Sequence, residues 1–526
     1  MKNKNSFLIL VSFVGAVFFT SCTKDLDQAP TNGLTTEQVY NSPLGYKLAF
    51  AKVYGCFALT GNNGPGSGDI QGIDAGTSDF FRLYWYAQEF PTDEAVISWG
   101  DAGIQDFHNM NWSSNNPFLT GLYYRSMYQI TLANDFIRQS ADDKLAARGI
   151  SGKDAEVIHT FVAEARFLRA YQYSVLMDLF GNPPFITDKE EIGTTPEQIS
   201  RKDLFDYIES ELKAIEPALL APRTNEYGRA DQAADWALLS RIYLNAEVYT
   251  GTARYDDAVT YSKKVIDAGY SLIPDYTHLM LADNNLNTDE FILTINYDGI
   301  HTQGYGGTTF LTHAPVGGEM VPANFGIGGG WAGARTTKNL PNLFPDYTGA
   351  ADSRAEFFTK GQDIEINNIT VFNDGLGVTK YRNLTRDGNN GSSLDFSDID
   401  MPIFRLPEMY LTYAEATLRG GAGDKGLALD YINKLRVRAY GDHSGDISAD
   451  GLTLDFILDE KGREFYWEGY RRTDLIRFGK FTSGSYVWPW KGGVKSGTGV
   501  QDFRTLYPLP TLDVSANPNL VQNPGY

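Results

Sequence analysis

Apolar residues in this chain fall into three stretches with helical spacing. In "DAEVIHTFVAEARFLRAYQYSVLMDLFGNPP", Val157, Phe161, Ala165, Leu168, Tyr171, Val175 and Leu179 recur every three or four positions and form one apolar face. Gly181 and the two prolines after Asn182 stop that helix. A helix pair follows. In "AADWALLSRIYLNAEVY", Trp236, Leu239, Tyr243 and Ala246 share a face; in "ARYDDAVTYSKKVIDAGY", Ala258, Tyr261 and Val265 do, and Gly269 ends the run. The same pattern returns in "EMYLTYAEATLRGG" with Leu411, Ala414 and Leu418, and in "KGLALDYINKLRVRAY" with Ala428, Ile432 and Leu435. Small Ala at the crossing and Tyr in the groove suit tetratricopeptide-like pairs, but the spacing between pairs is irregular. The expected fold is mainly α: a scaffold of helix pairs at about 35–60, 120–280 and 401–480, interrupted by large insertions. Trp236 and Trp467 are expected in its core.

The insertions, about 60–120 and 283–400, are rich in Gly, Asn, Asp, Thr and aromatics and lack strong periodicity. Short strands such as "EFILTIN" are expected there, and loops on a rigid scaffold are where recognition usually sits. The proline-punctuated end, "YPLPTLDVSANPNLVQNPGY", is expected to run extended along the helices.

The first residues read differently. Lys2 and Lys4 precede an apolar run from Phe7 to Phe19, too short to span a bilayer and proportioned as a secretory signal. Thr20, Ser21 and Cys22 follow, as in a bacterial lipoprotein signal cut before an acylated cysteine; the alternative is an ordinary signal with an incidental cysteine. Phe19 is bulkier than the usual residue three before such a cut. Residues 1–21 are therefore expected to be a leader and 22–526 one domain. Asp25, Asp27, Pro30 and Gly33 then lead away from the membrane as a tether. Two or more acyl chains on Cys22 would anchor firmly, at ~0.8 kcal/mol per buried CH₂.

Charge narrows the partners. The chain carries −20, and losing Lys2 and Lys4 makes it more negative still, which disfavours nucleic acid and anionic lipid. Beyond Cys22 only Cys56 remains, so neither a disulfide framework nor a cysteine zinc site is available. Aromatic residues make up 13% of the chain, which suits an uncharged polar ligand such as a sugar, whose C–H faces stack on rings.

Catalytic patterns are missing. There are six histidines and no H-E-x-x-H, Walker loop, G-x-S-x-G or Cys-x-x-Cys. "GGGWAG" matches G-x-G-x-x-G in form only, with no strand pattern before it or helix pattern after it. Asp93 and Glu94 are a possible glycosidase pair, but among 65 acidic residues such pairs arise by chance. In "EFYWEGYRRTDLIRFGKF", Glu468, Arg471 and Asp474 fall three or four apart, the spacing of ion pairs on one helix. Oxygen donors cluster in "LADNNLNTDE" and "DFSDID", of the kind calcium takes, without the spacing of an EF-hand.

Several stretches resemble the SusD/RagB family of Bacteroidetes outer-membrane lipoproteins: "CTKDLD", "PTDEAV", "EARFLRAYQYSVLMDLFGNPPF", "GRADQAADWALLSRIYLNAEVYTG", "IFRLPEMYLTYAEATLRGG", "REFYWEGYRRTDLIRFGKF" and "NPNLVQNPGY". The resemblance runs from Cys22 to Tyr526. It implies four tetratricopeptide-type helix pairs against a loop-rich face, glycan binding without enzymatic activity, and a SusC-like TonB-dependent transporter as partner at the outer membrane.

Within the family the loops "GIDAGTSDFFRLYW", "EFPTDEAVISWGD", "HTQGYGGTTFL" and "GIGGGWAGAR" are similar to those of a starch-binding member. That carries glycan-binding roles onto Asp74, Arg82, Trp99, Tyr305 and Trp331. Asp74 and Arg82 either pair with sugar hydroxyls or brace the loop. Two departures stand out: Ile97 where the pattern has a further stacking tryptophan, and Ala102 where it has an asparagine. Tyr84, Trp85 and Tyr86 add rings that would compensate or suit another glycan. The family pattern also implies calcium near Asp283, Asp398 and Asp400, with Asn285 where an acid is expected. The function implied is capture of starch or maltooligosaccharides. Its alternatives are capture of a β-glucan, fructan or chitin-type chain, a surface glycoside hydrolase, and a lid with no ligand.

Overall fold

The structure is a computed structural model that describes residues 35–74, 76 and 79–526. The expected leader and Cys22 lie outside the described residues. The scaffold is helical. Pro117–Gln139 packs on Lys153–Phe180, Gln232–Leu244 on Tyr255–Ile266, and Leu406–Leu418 on both Tyr255–Ile266 and Lys425–Tyr440. Arg201–Ile215 lies against Lys153–Phe180, and Pro43–Gly55 packs on Lys153–Phe180 and Pro117–Gln139. A short connection turns the chain back between Leu406–Leu418 and Lys425–Tyr440, whereas Tyr255–Ile266 and Leu406–Leu418 are joined only through the second insertion. Among the described residues no helix is long and apolar enough to cross a membrane.

The long helix starts at Lys153 and ends at Phe180, with Gly181 beyond it at φ 73°. Its expected face is buried from Phe161 to Leu179, whereas Val157, near the helix start, is 52% exposed. Trp236 is only half-buried. Its Nε1 donates to Glu216 at 2.7 Å and the Lys264 ammonium sits over its ring, so it is a polar-edged surface contact and not the core residue expected. Trp467 is fully buried as expected, but off a helix. The chain breaks between Leu454–Phe465 and Arg471–Arg477, with Trp467 at φ 64° and Gly469 at φ 85°. That break takes Glu468 off the helix that carries Arg471 and Asp474, and all three find partners elsewhere. Glu468 takes Lys380 and Arg405, Arg471 takes Asp93, and Asp474 takes Lys461 and Arg477. Their reading as scaffold holds; their pairing with one another does not.

The second insertion leaves and returns through one neck. Phe291–Ile295 pairs antiparallel with Met401–Arg405, Phe291 facing Arg405 and Ile295 facing Met401. All ten residues are buried between helices and loops. Residues from inside the insertion plug into the helical side through buried ion pairs. Arg354 meets Asp352, Glu460 and Glu464, and Lys380 meets Glu468 at 2.6 Å. Arg405 and Arg438 extend the cluster to Glu290. The first insertion is less loop-like than its composition suggested, since Phe80–Glu89 is a helix. The C-terminal segment runs along the scaffold, where Tyr507 N donates to Leu179 O and Asn523 Nδ2 to Phe180 O, but it is not extended throughout, since Thr511–Ala516 is a helix.

Candidate functional site

The site grows from the helix Phe80–Glu89. Asp79 caps it, its Oδ1 accepting the Arg82 N–H at 2.8 Å. Helical spacing turns Trp85 and Tyr86 inward, both fully buried, and leaves Arg82 at the surface. Trp85 donates its Nε1–H to Trp467 O at 2.9 Å. Trp85 and Tyr86 are thus core residues and offer no ring to a ligand, contrary to the compensating role expected of them. Tyr84 lines a separate crevice with Arg241 and Tyr470.

A two-residue ladder then sets the rings side by side. Val96 pairs with Arg335 and Ile97 with Ala334, so Trp99 and Trp331 emerge together beyond its end. Their ring centroids are 6.3 Å apart at 45°, and the Trp99 Nε1–H donates to Trp331 O at 3.1 Å. Gly333 is required here: a Cβ would sit 2.3 Å from the Trp99 ring. Ile97 itself is fully buried. A tryptophan at 97 would therefore enter the core in this backbone, and the gap left by the family's further indole is not a vacant place on the surface. Ala102 is exposed.

Arg82 links this pair to Tyr305. Its guanidinium lies 5.8 Å from the Trp99 ring and 4.9 Å from Phe310, and donates to Tyr86 Oη at 2.8 Å and to Tyr305 O at 2.9 Å. Those bonds use two of its five N–H groups. Tyr305 is 45% exposed and rests against Phe396. Four of the five expected residues, Arg82, Trp99, Tyr305 and Trp331, therefore share one surface. Asp74 is exposed in the segment leading to this helix, with its Oδ1 accepting the Gly76 N–H at 2.8 Å.

Sequence reasoning missed the layer beneath. Phe310 and His313, on the helix Gly307–His313, support the indoles: Phe310 meets Trp99 edge-on, and His313 stacks on Trp331 at 4.9 Å. Burial pushes the His313 imidazole below its usual range, which favours the neutral ring. Their spacing of three in "TTFLTH" was the available signal. Asp79 was missed too; its carboxylate also accepts the Gly307 N–H at 2.9 Å.

The three aspartates assigned to calcium do not converge. Asp283 pairs with Arg386 at 3.0 Å. Asp398 accepts from Gly299 N and Ser392 Oγ. Asp400 accepts from Tyr297 N and Tyr227 Oη. Burial pushes the Asp400 carboxyl up to about 7. Among the described residues no cluster of three or more His, Cys, Asp or Glu is placed to hold a metal ion. These residues do not fit the group.

The acid pair Asp93–Glu94 is structural. Asp93 is fully buried; desolvation raises its carboxyl, but the bidentate Arg471 guanidinium outweighs that and holds it below the usual range. Burial pushes Glu94 up, and its Oε2 accepts the Trp467 N–H. Neither reaches the ring surface. What that surface offers is half-exposed indoles, a phenol and spare guanidinium N–H groups, which suit stacking on pyranose faces and bonding to their hydroxyls.

Comparison with known proteins agrees with this chemistry. The SusD family profile matches residues 346–526. The Starch-binding protein SusD of Bacteroides thetaiotaomicron is 36% identical, covering 96% of each chain. A SusD-like protein of Bacteroides ovatus is 24% identical over 91% of this chain and 83% of its own. Among solved structures, Surface glycan-binding protein A from Bacteroides fluxus superposes with TM-score 0.71 at 21% identity, covering 92% of this chain and 100% of that one. Surface glycan-binding protein A from Bacteroides thetaiotaomicron in complex with laminarihexaose gives TM-score 0.69 at 21% identity, covering 91% and 98%. Given the match to the first of these across nearly its whole length, the chain belongs to the SusD family of non-catalytic glycan-binding proteins.

Proposed function

We propose that this protein is a surface receptor that captures starch or maltooligosaccharides on the Arg82–Trp99–Tyr305–Trp331 surface and delivers them to a SusC-like TonB-dependent transporter. The tilted Trp99–Trp331 pair, with the Arg82 guanidinium beside it, carries this reading. Two rings at 45° follow a curved chain better than a flat one. The name of the 36%-identical relative supports the α-glucan. An anchor at Cys22 would hold the receptor at the outer membrane facing outward. No cofactor is needed for stacking and hydrogen bonding, and no calcium is assigned to it.

A β-glucan is the second reading. It is favoured by the laminarihexaose complex of a protein with this fold and by the burial of Ile97, which removes a ring from the starch pattern. Calorimetric titration of residues 23–526 with maltoheptaose and with laminarihexaose separates the two. Heat with maltoheptaose supports starch capture; heat with laminarihexaose alone overturns it. Release of reducing sugar from either polymer would instead support a hydrolase.

A further inference from the structure

Beyond Tyr305 lies a second concavity. A cleft of about 260 Å³ opens between the helix Pro43–Gly55, the strand Phe291–Ile295 and the segment around Tyr227. Its floor is aromatic: Phe50 and Phe161 stack at 4.5 Å and 13°, and the Arg229 guanidinium lies across both rings. Arg229 is itself fixed by Glu164, its Nε donating at 3.1 Å.

One wall is a preset ring. Tyr227 is 36% exposed, yet its hydroxyl donates to the buried Asp400 carboxyl at 2.9 Å, so the ring is held while its surface stays open. The polar group at the rim is Asn296. Its Oδ1 accepts from Thr294 Oγ1, the residue is exposed, and its Nδ2 makes no hydrogen bond among the described residues. A ring held at its polar end, an apolar floor and a free amide donor form a sugar-binding set. The volume lies below the ~300–1,000 Å³ of drug-sized sites, which limits the occupant to one or two sugar rings.

The cleft also continues the surface already described. Thr302 forms part of its lining and stands three residues before Tyr305, so the two Cα atoms are at most ~11 Å apart. Gly304 passes beside the carbonyl of Ala58, which lines the same cleft.

We infer that this cleft is a second subsite that takes one or two terminal sugar rings of the glycan lying across Tyr305. This rests on the receptor reading above. The subsite would make the protein measure chain length: a short oligosaccharide fills the indole surface alone, and a longer one reaches the cleft.

The test is a titration series from maltotriose to maltoheptaose, with laminarihexaose as the second probe. It uses residues 23–526 as wild type, Ala51→Trp, Tyr227→Ala, Tyr227→Phe and Trp331→Ala. Ala51 is exposed on the helix that borders the cleft, so an indole there blocks the cleft without entering the core. The expected result is a gain in wild-type affinity with chain length. Ala51→Trp and Tyr227→Ala should lose about tenfold for the longest probe bound, the effect of one stacked ring, with maltotriose binding unchanged. Tyr227→Phe should bind nearly as wild type, because it keeps the ring. Trp331→Ala should weaken every length. If the cleft variants follow the wild type at all lengths while Trp331→Ala is weakened, or if wild-type affinity does not rise with length, the subsite is wrong and the receptor reading stands. If the wild type binds neither sugar, both fall.

Discussion

Asp79 and Gly307 stand 228 positions apart and share a hydrogen bond, the Gly307 N–H donating to Oδ1 at 2.9 Å. The same oxygen caps the helix that carries Arg82. One buried carboxylate thus ties the first insertion to the second, at the point where each supplies the ring surface. A Cβ at the neighbouring Gly306 would lie 2.0 Å from the Asp79 carboxyl carbon, so the contact depends on glycine there. Asp79→Ala should cost ~1–2 kcal/mol of stability, as lost caps do, and weaken glycan binding as Arg82 and Tyr305 drift apart. Asp79→Asn keeps an acceptor oxygen and should restore most of the affinity. Equal affinity in wild type and Asp79→Ala by calorimetry would show that the tie does not position the site.

The Trp99–Trp331 pair can be disturbed from behind. Gly333→Ala would place a methyl 2.3 Å from the Trp99 ring. Because Trp99 is half-buried, the ring should swing outward and not unfold the protein. Glycan affinity should fall several-fold with little change in Tm. Trp331→Ala should lose about tenfold, since a stacked ring contributes ~1 kcal/mol or more. Wild-type affinity in both variants would remove the indole surface from the site.

Trp85 and Trp236 should respond differently to truncation. Trp85 is fully buried against Trp467, Phe90 and Phe310, so Trp85→Ala should cost ~3–5 kcal/mol. Trp236 is half-buried and edged by Glu216 and Lys264. Trp236→Ala should cost about 1 kcal/mol, in the range of ordinary substitutions. Chemical denaturation of the two variants measures the difference, and a larger loss for Trp236 would contradict it.

Asp400 and Glu460 contribute to opposite limbs of a pH profile, the first alongside Glu94 and Glu356, whose carboxyls burial also raises. Asp400 has its carboxyl raised by burial from 3.8 to about 7. The folded state therefore holds a proton that the unfolded chain releases, and stability falls as pH rises from about 4 to about 7. Glu460 is the reverse. Burial raises it, but Arg354, Arg463 and Arg436 outweigh that and lower it from 4.5 to about 2. Its contribution is present above about 4.5 and lost as pH falls toward about 2. Asp400→Asn should flatten the decline of Tm between pH 4 and 7 and leave the acid limb in place. An unchanged slope in that window would place the decline elsewhere. Glu460→Ala leaves buried arginines short of a partner and should cost ~3–5 kcal/mol at pH 7.

Helical periodicity made the scaffold legible, because Phe161, Ala165, Leu168 and their successors report a buried stripe directly. The indoles at 99 and 331 were legible from glycine-rich surroundings and family resemblance. Three things were not. Trp236 sits on an apolar face but at its rim, and periodicity does not distinguish rim from centre. Ile97 lies in a ladder with residues 334–335, and Trp85 is buried against Phe310 and Trp467; these partners are all more than 200 positions away. The oxygen clusters at 281–290 and 395–400 looked free because composition cannot show that Arg386, Ser392 and Tyr227 already satisfy them.

Arg354 and Lys380 reach out of the loops and lock onto Glu460, Glu464 and Glu468 in the helices. Pairs buried on both sides resist sliding of the second insertion against the helices. On the proposed receptor reading, the freedom lost on binding would then fall chiefly on the sugar chain, and chains whose bends already match the slope between Trp99 and Trp331 would lose least. Selectivity would follow the resting shape of the polymer in water, and two glycans built from the same sugar would be told apart by linkage alone.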